Sequence, residues 1–199
     1  MSHPLEFLVQ SYQTERLKTL TVWSEFADDD LAFRPAPPCR TPREQMIHQC
    51  VSEDGWMTKM LGIDVAMPPL PASEDRHSFL AHYAEASRRR VEALAGKPAE
   101  WYGEETRFFD VPRSRAWVLT RRLTHSAHHR AQLTVYLRLL GRSLYSTYGP
   151  TADTGGLPAN GATVIYRYPS VERLLEAEPH GGDWPPLPGP GAAAPTERP

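Results

Sequence analysis

Cysteine is nearly absent from this chain of 199 residues: Cys39 and Cys50 are the only two, and they form no CxxC pair. Two isolated thiols cannot make a disulfide framework, and they suit a reducing compartment. Nor does any apolar run approach the roughly 20 residues needed to span a bilayer. The amino terminus, MSHPLEFLVQ, lacks the basic segment, apolar segment and small-residue cleavage site of a secretory signal. The cytoplasm is therefore the expected location. An excess of charge of one sign is missing too. With 22 Lys and Arg against 24 Asp and Glu the formal net charge is −2, so no global field recruits nucleic acid or an anionic membrane. The triplet Arg88-Arg89-Arg90 does not change this, because consecutive helical residues point about 100° apart. It reads as a solvated helix surface. Internal repeats are also lacking.

What is present is amphipathic helix. Leu5, Leu8, Val9, Tyr12, Leu20, Trp23 and Phe26 fall mostly on three- and four-residue steps and predict a first helix over about 4–26. Asp28-Asp29-Asp30 and Pro35, Pro37 and Pro38 end it. Thr41 as cap, Pro42 at the first helical position and Glu44 closing a capping box predict a second helix over 42–61. Ser73 can cap a third, with Phe79, Leu80, Tyr83, Ala86, Val91 and Leu94 on its apolar side. Residues 99–112 suggest an extended segment too short to define a sheet. A fourth helix runs from Arg115 to Leu140 and stops at Gly141. Four long helices joined by loops make an all-α, up-and-down-type four-helix bundle the expected architecture. Beyond it, Tyr148-Gly149-Pro150, Gly155-Gly156 and Asn160-Gly161 signal turns, and Ser170 can cap a short helix over 170–177. From Pro179 onward seven of twenty-one residues are proline, too little apolar material for the segment to order itself. The expected organisation is a bundle over 1–156, an extension over 157–178 and a Pro/Gly-rich tail over 179–199.

The informative stretch is Leu123-Thr124-His125-Ser126-Ala127-His128-His129-Arg130-Ala131-Gln132. Residues four apart sit one turn above each other, close enough for two imidazoles to share a metal. The apolar side of this helix carries Val118, Leu133, Tyr136 and Leu140. His129 lies near its centre and His125 beside it, whereas His128 lies toward the edge. Gln132 shares the His125–His129 stripe. A third ligand must come from elsewhere, and the second helix offers only His48. Its helical neighbours Glu44, Val51, Ser52 and Gly55 do not fix its direction, since Met46, Cys50, Met57 and Met60 lie on the far side. An exposed histidine is the alternative there. HExxH is absent, with Ser126 in the place of its glutamate. The paired Glu-x-x-His units of a di-iron bundle are absent as well. His77 and His82 do not share a face, and His3 and His180 lie near the ends.

Residues 109–156, FDVPRSRAWVLTRRLTHSAHHRAQLTVYLRLLGRSLYSTYGPTADTGG, carry the core HxxxHRxQLxxYLRxLG followed by YGPTAD. With IHQCVSEDGWMTKMLG over 47–62, they resemble the DinB/YfiT-like family of metal-binding four-helix bundles, unrelated to the DNA polymerase of similar name. The likeness covers about residues 4–156. It implies a three-histidine metal site at His48, His125 and His129, and metal-dependent transfer or isomerisation using a low-molecular-weight thiol such as mycothiol, bacillithiol or glutathione. It also implies a homodimer.

Three neutral imidazoles leave a divalent charge uncompensated and a coordination position open, as in catalytic zinc. A thiol there would lose its proton and attack an electrophilic second substrate. Zinc is the first choice, because it accepts both imidazole and thiolate, with nickel or iron as alternatives. Gln132 is expected to hydrogen-bond a ligand or satisfy a buried position, and Arg130 to form an interhelical or surface ion pair. Tyr148 and Asp153 are candidates to fold over the pocket and orient a histidine. Trp56 either lines the entrance or packs in the core, and His128 is either peripheral or a pocket residue behind the ligands that supports them. The competing readings are a metal-dependent hydrolase and a non-enzymatic, stress-associated metal-binding or structural protein.

Overall fold

The computed structural model describes residues 5–192. His3, the expected helix start at residue 4 and the last seven residues of the tail lie outside the described residues. Helices α1 (Glu6–Ser24), α2 (Pro42–Lys59), α3 (Arg76–Ala95) and α5 (Arg115–Leu139) are long; α4 (Ala99–Gly103) and α6 (Val171–Ala177) are short. Strands β1 (Glu105–Phe108) and β2 (Val111–Ser114) lie between α4 and α5 and pair antiparallel. The protein is thus mostly helical, with one small hairpin where an isolated extended segment was expected. The segment over 99–112 misleads because the Phe109-Asp110 turn lacks the Asn-Gly signature of two-residue hairpin loops.

Local chemistry sets the helix starts. Thr41 Oγ1 accepts from Glu44 N at 3.2 Å and Glu44 Oε2 accepts from Thr41 N at 2.8 Å, the capping box read from the sequence. Ser114 and Ser170 accept from Trp117 N and Arg173 N, each at 3.2 Å, and so cap α5 and α6. Helix α3 starts later than Ser73 suggests. Asp75, a stronger acceptor, takes the Ser78 N–H at 2.8 Å and the Ser78 hydroxyl at 2.7 Å. Gly141, at φ +71°, ends α5 in the left-handed conformation that glycine adopts without strain.

Helix α1 packs on α3 and α5, and α2 packs on α5 and α3. Two apolar clusters fill the interior. One joins Leu20, Trp23, Met46, Phe79, Tyr83, Leu133 and Leu137 to Leu174 of α6; the other joins Leu8, Tyr12, Met57, Val91, Leu94, Val118 and Leu119. Helices α1 and α5 enter the second cluster first, whereas α2 and α3 enter the first cluster first. Consecutive helices α2 and α3 therefore run the same way, which departs from simple up-and-down alternation. The connection over 60–75 allows this, because an extended chain of that length exceeds the roughly 27 Å rise of α2.

Between the clusters lies a polar belt. Arg16, Glu53, Ser87, Arg90, Arg122, Ser126, His129 and Arg130 are all buried there. Arg90 contradicts the reading of 88–90 as a solvated face: its guanidinium reaches Glu53 at 3.2 Å and Asp54 at 3.0 Å. Arg88 and Arg89 do pair with Glu85 on the half-exposed outer face of α3. The described part of the tail is held by specific contacts. Tyr145 Oη donates to Pro185 O at 2.7 Å, Gly189 N donates to Asp153 O at 2.9 Å, and the Trp184 ring lies 3.5 Å from the Arg167 guanidinium. Backbone pairing and a cation–π contact hold it where apolar burial alone would not. No helix among the described residues is long and apolar enough to cross a membrane.

Candidate metal centre

The core-facing stripe of α5 is interrupted at mid-length by Arg122, Ser126 and His129. An amphipathic helix that buries polar groups must satisfy them, and here each has a use. The His125 and His129 rings lie 4.4 Å apart between centroids, one turn apart on α5. His48 of α2 faces them, its ring 4.5 Å from that of His129 and 5.4 Å from that of His125. His48 Nε2 is 3.0 Å from His129 Nε2, which is 3.2 Å from His125 Nε2. The direction of His48, which periodicity left open, is thus inward.

Nitrogens sharing a tetrahedral cation with bonds near 2.05 Å stand about 3.3 Å apart, close to the spacings here. The three donors lie within 4.8 Å of one another and could hold a metal ion; among the described residues no carboxylate or thiol joins the group. Burial lowers all three pKa values from the usual 6.5, to about 4 for His48 and about 3 for His125, and downward for His129. Arg40 beside His48 and Arg122 beside His125 add to this by repelling further positive charge. The imidazoles are therefore neutral at pH 7, the form in which they donate to a metal.

Gln132 sets the ring of His129. Its Oε1 accepts from His129 Nδ1 at 3.0 Å and from Gln45 Nε2 at 2.8 Å, while its Nε2 donates to His128 Nε2 at 3.2 Å. The proton stays on Nδ1 and the Nε2 lone pair faces the other two histidines. Arg122 lies beneath the site: its guanidinium donates to Ser52 Oγ at 2.9 Å and Ser126 Oγ at 3.0 Å and packs 5.6 Å from the Trp56 ring. Trp56 lies 5.4 Å from His125 at an interplanar angle of 32°, so it borders the site. Its other edge meets Phe108 at 5.1 Å.

Two candidates are placed elsewhere. The Tyr148 hydroxyl donates to Glu15 Oε2 at 2.7 Å and contacts the buried Arg130 guanidinium; Asp153 accepts from Leu144 N at 2.7 Å and pairs with Arg138. Neither bonds a histidine. The loop after α5 closes against α1 and the end of α5 instead, because Arg130 and Arg138 offer charged partners there. Arg130 forms the interhelical pair expected of it, with Glu15. Gln45 and Arg122 went unrecognised in the sequence, although Gln45 stands three residues before His48 and Arg122 three before His125. Both spacings put them on the ligand faces.

A family model, the DinB family, matches residues 1–156. Among solved structures, a DinB-like protein from Bacillus cereus ATCC 10987 superposes with a TM-score of 0.64 at 22% identity, covering 72% of this chain and 97% of that one. A DinB-like protein from Bacillus subtilis superposes with a TM-score of 0.57 at 16% identity, covering 71% and 97%. No curated protein matches the chain in sequence.

Proposed function

The chain belongs to the DinB family, and from that premise we propose that His48, His125 and His129 bind one divalent metal, zinc first among candidates, in a transferase acting on a low-molecular-weight thiol. The observation that carries this reading is the convergence of three neutral Nε2 atoms from two helices, with the proton of His129 held on the opposite nitrogen by Gln132. On this reading the four long helices form a four-helix bundle whose polar belt is the scaffold of the centre.

A cation held by three imidazoles supplies Lewis acidity that makes a thiol ionise near neutral pH. The chain's own groups do the rest. Gln45 orients Gln132, Gln132 orients His129, and Arg122 fixes Ser52 and Ser126 beneath the ligand helices. Trp56 shields one side from water. The hydrolase reading needs a carboxylate base, and the buried carboxylate of α2, Glu53, is already engaged by Tyr12, Tyr83 and Arg90.

Two measurements test this. Zinc-loaded protein offered mycothiol, bacillithiol or glutathione with a panel of electrophiles should consume thiol and electrophile together, and chelation should abolish the reaction. Absence of conjugation across the panel, or ester hydrolysis without thiol, would count against a transferase. Separately, Gln132→Leu frees the His129 ring and should weaken zinc affinity roughly 10- to 100-fold in a chelator competition. An unchanged affinity would show that the hydrogen bond does not orient the ligand.

A further inference from the structure

We infer that an aromatic ledge beside the histidines, formed by Trp56, Phe108 and Phe109, binds a flat apolar group, so that the electrophilic substrate is an aromatic or similarly planar apolar molecule. The inference rests on the metal-centre reading of the same site. From His125 the apolar wall is continuous: Trp56 lies beside it at 5.4 Å, Phe108 meets Trp56 at 5.1 Å, and Phe109 meets Phe108 at 4.9 Å and Trp56 at 6.4 Å. Arg122 packs on Trp56, so the platform is rigid before a ligand arrives.

Core packing accounts for Phe108, which is partly buried against the second apolar cluster. It does not account for Phe109. The pairing of Phe108 with Val111 leaves Phe109 and Asp110 as a two-residue turn. Phe109 sits there at φ +53°, a conformation that suits glycine or asparagine and strains a bulky residue, and the residue is 65% exposed. Asparagine would make the turn with less strain and no exposed ring. Both costs are met at a position whose ring reaches the wall of the site, which is where strain is expected when a side chain serves a ligand. A second copy of the chain fits this surface less well. Beyond Phe109 the exposed apolar residues nearby are Val111 and Trp117, few for the roughly 800 Å² that each partner of a stable dimer buries.

The test uses 2-naphthol, a planar probe that cannot be attacked by a thiol, with the full chain in metal-free and zinc-loaded form. Calorimetry should detect binding in both forms. Phe109→Asn should weaken it about fivefold, the worth of one aromatic contact, while leaving Tm equal or higher because the turn is relieved. Phe109→Tyr should retain it. With cobalt(II) in place of zinc, the naphthol proton resonances should broaden, which places the probe beside the histidines. Equal affinity in Phe109→Asn, or unbroadened resonances with cobalt bound, would overturn the inference. So would a dimer that Phe109→Asn dissociates and 2-naphthol leaves intact. A chain that binds 2-naphthol but takes up no metal defeats the metal-centre reading alone, whereas a metal-loaded chain that ignores 2-naphthol defeats the ledge alone.

Discussion

Replacing Glu53 with alanine is expected to destabilise the fold by about 3–5 kcal/mol, the range for removing one partner from a buried ionic network. Glu53 is fully buried at the centre of the polar belt. Its carboxylate accepts from the Tyr12 hydroxyl and from Tyr83 Oη at 2.9 Å; Arg90 pairs with it at 3.2 Å and Arg122 Nε approaches at 3.6 Å. The last distance is an ion pair rather than a direct hydrogen bond. Alanine would leave two guanidinium groups facing each other across a void with two unpartnered phenols. Burial, the largest cause that raises both tyrosine pKa values, persists in the variant and opposes ionisation of either phenol to replace the missing anion. Urea unfolding measures the loss, and Glu53→Gln, which keeps the volume and one acceptor, should lose less. A change below about 1 kcal/mol for the alanine variant would mean that the belt contributes little to stability.

His125→Ala should weaken zinc binding by more than about 100-fold, beyond the effect of losing an outer hydrogen bond to a ligand. The pH dependence of the wild type is the sharper result. Metal and protons compete for the same nitrogens, and an imidazole of pKa 6.5 yields to protons as pH falls through that value. In the folded chain burial has depressed these pKa values, to about 4 for His48 and about 3 for His125. Protons therefore compete for His48 and His125 only as pH approaches 4, and for His129 only below its ordinary range. Zinc affinity at about pH 5.5 should stay within roughly tenfold of its value at pH 7, whereas three ordinary imidazoles would lose on the order of a thousandfold. A titration at the two pH values separates these outcomes.

What the sequence disclosed was whatever depends on neighbours along one helix. The Thr41–Glu44 capping box, the α5 stripe bearing His125 and His129, and the peripheral place of His128 follow from spacing alone. What depends on packing between helices did not show. Arg90 reads as one of three surface arginines until Glu53 of another helix is placed beside it. The direction of α3 hangs on a proline-rich connection whose length permits either sense. Tyr148 and Asp153 flank a glycine–proline turn whose course is set by arginines on α5, so their separation from the histidines has no local signal. The inward direction of His48 was carried by resemblance and not by its own periodicity, because the α2 stripe it shares with Gln45 and Ser52 is polar. A polar stripe is what a site between helices requires, and it hides from any search for apolar faces.

The most direct measurement of the central claim is metal content per chain after zinc loading and removal of free ion, for wild type and for His48→Ala side by side. One zinc per wild-type chain and a markedly substoichiometric amount in His48→Ala is the expected result. Full occupancy in His48→Ala, or a wild-type chain that retains no metal, would contradict a centre built from His48, His125 and His129.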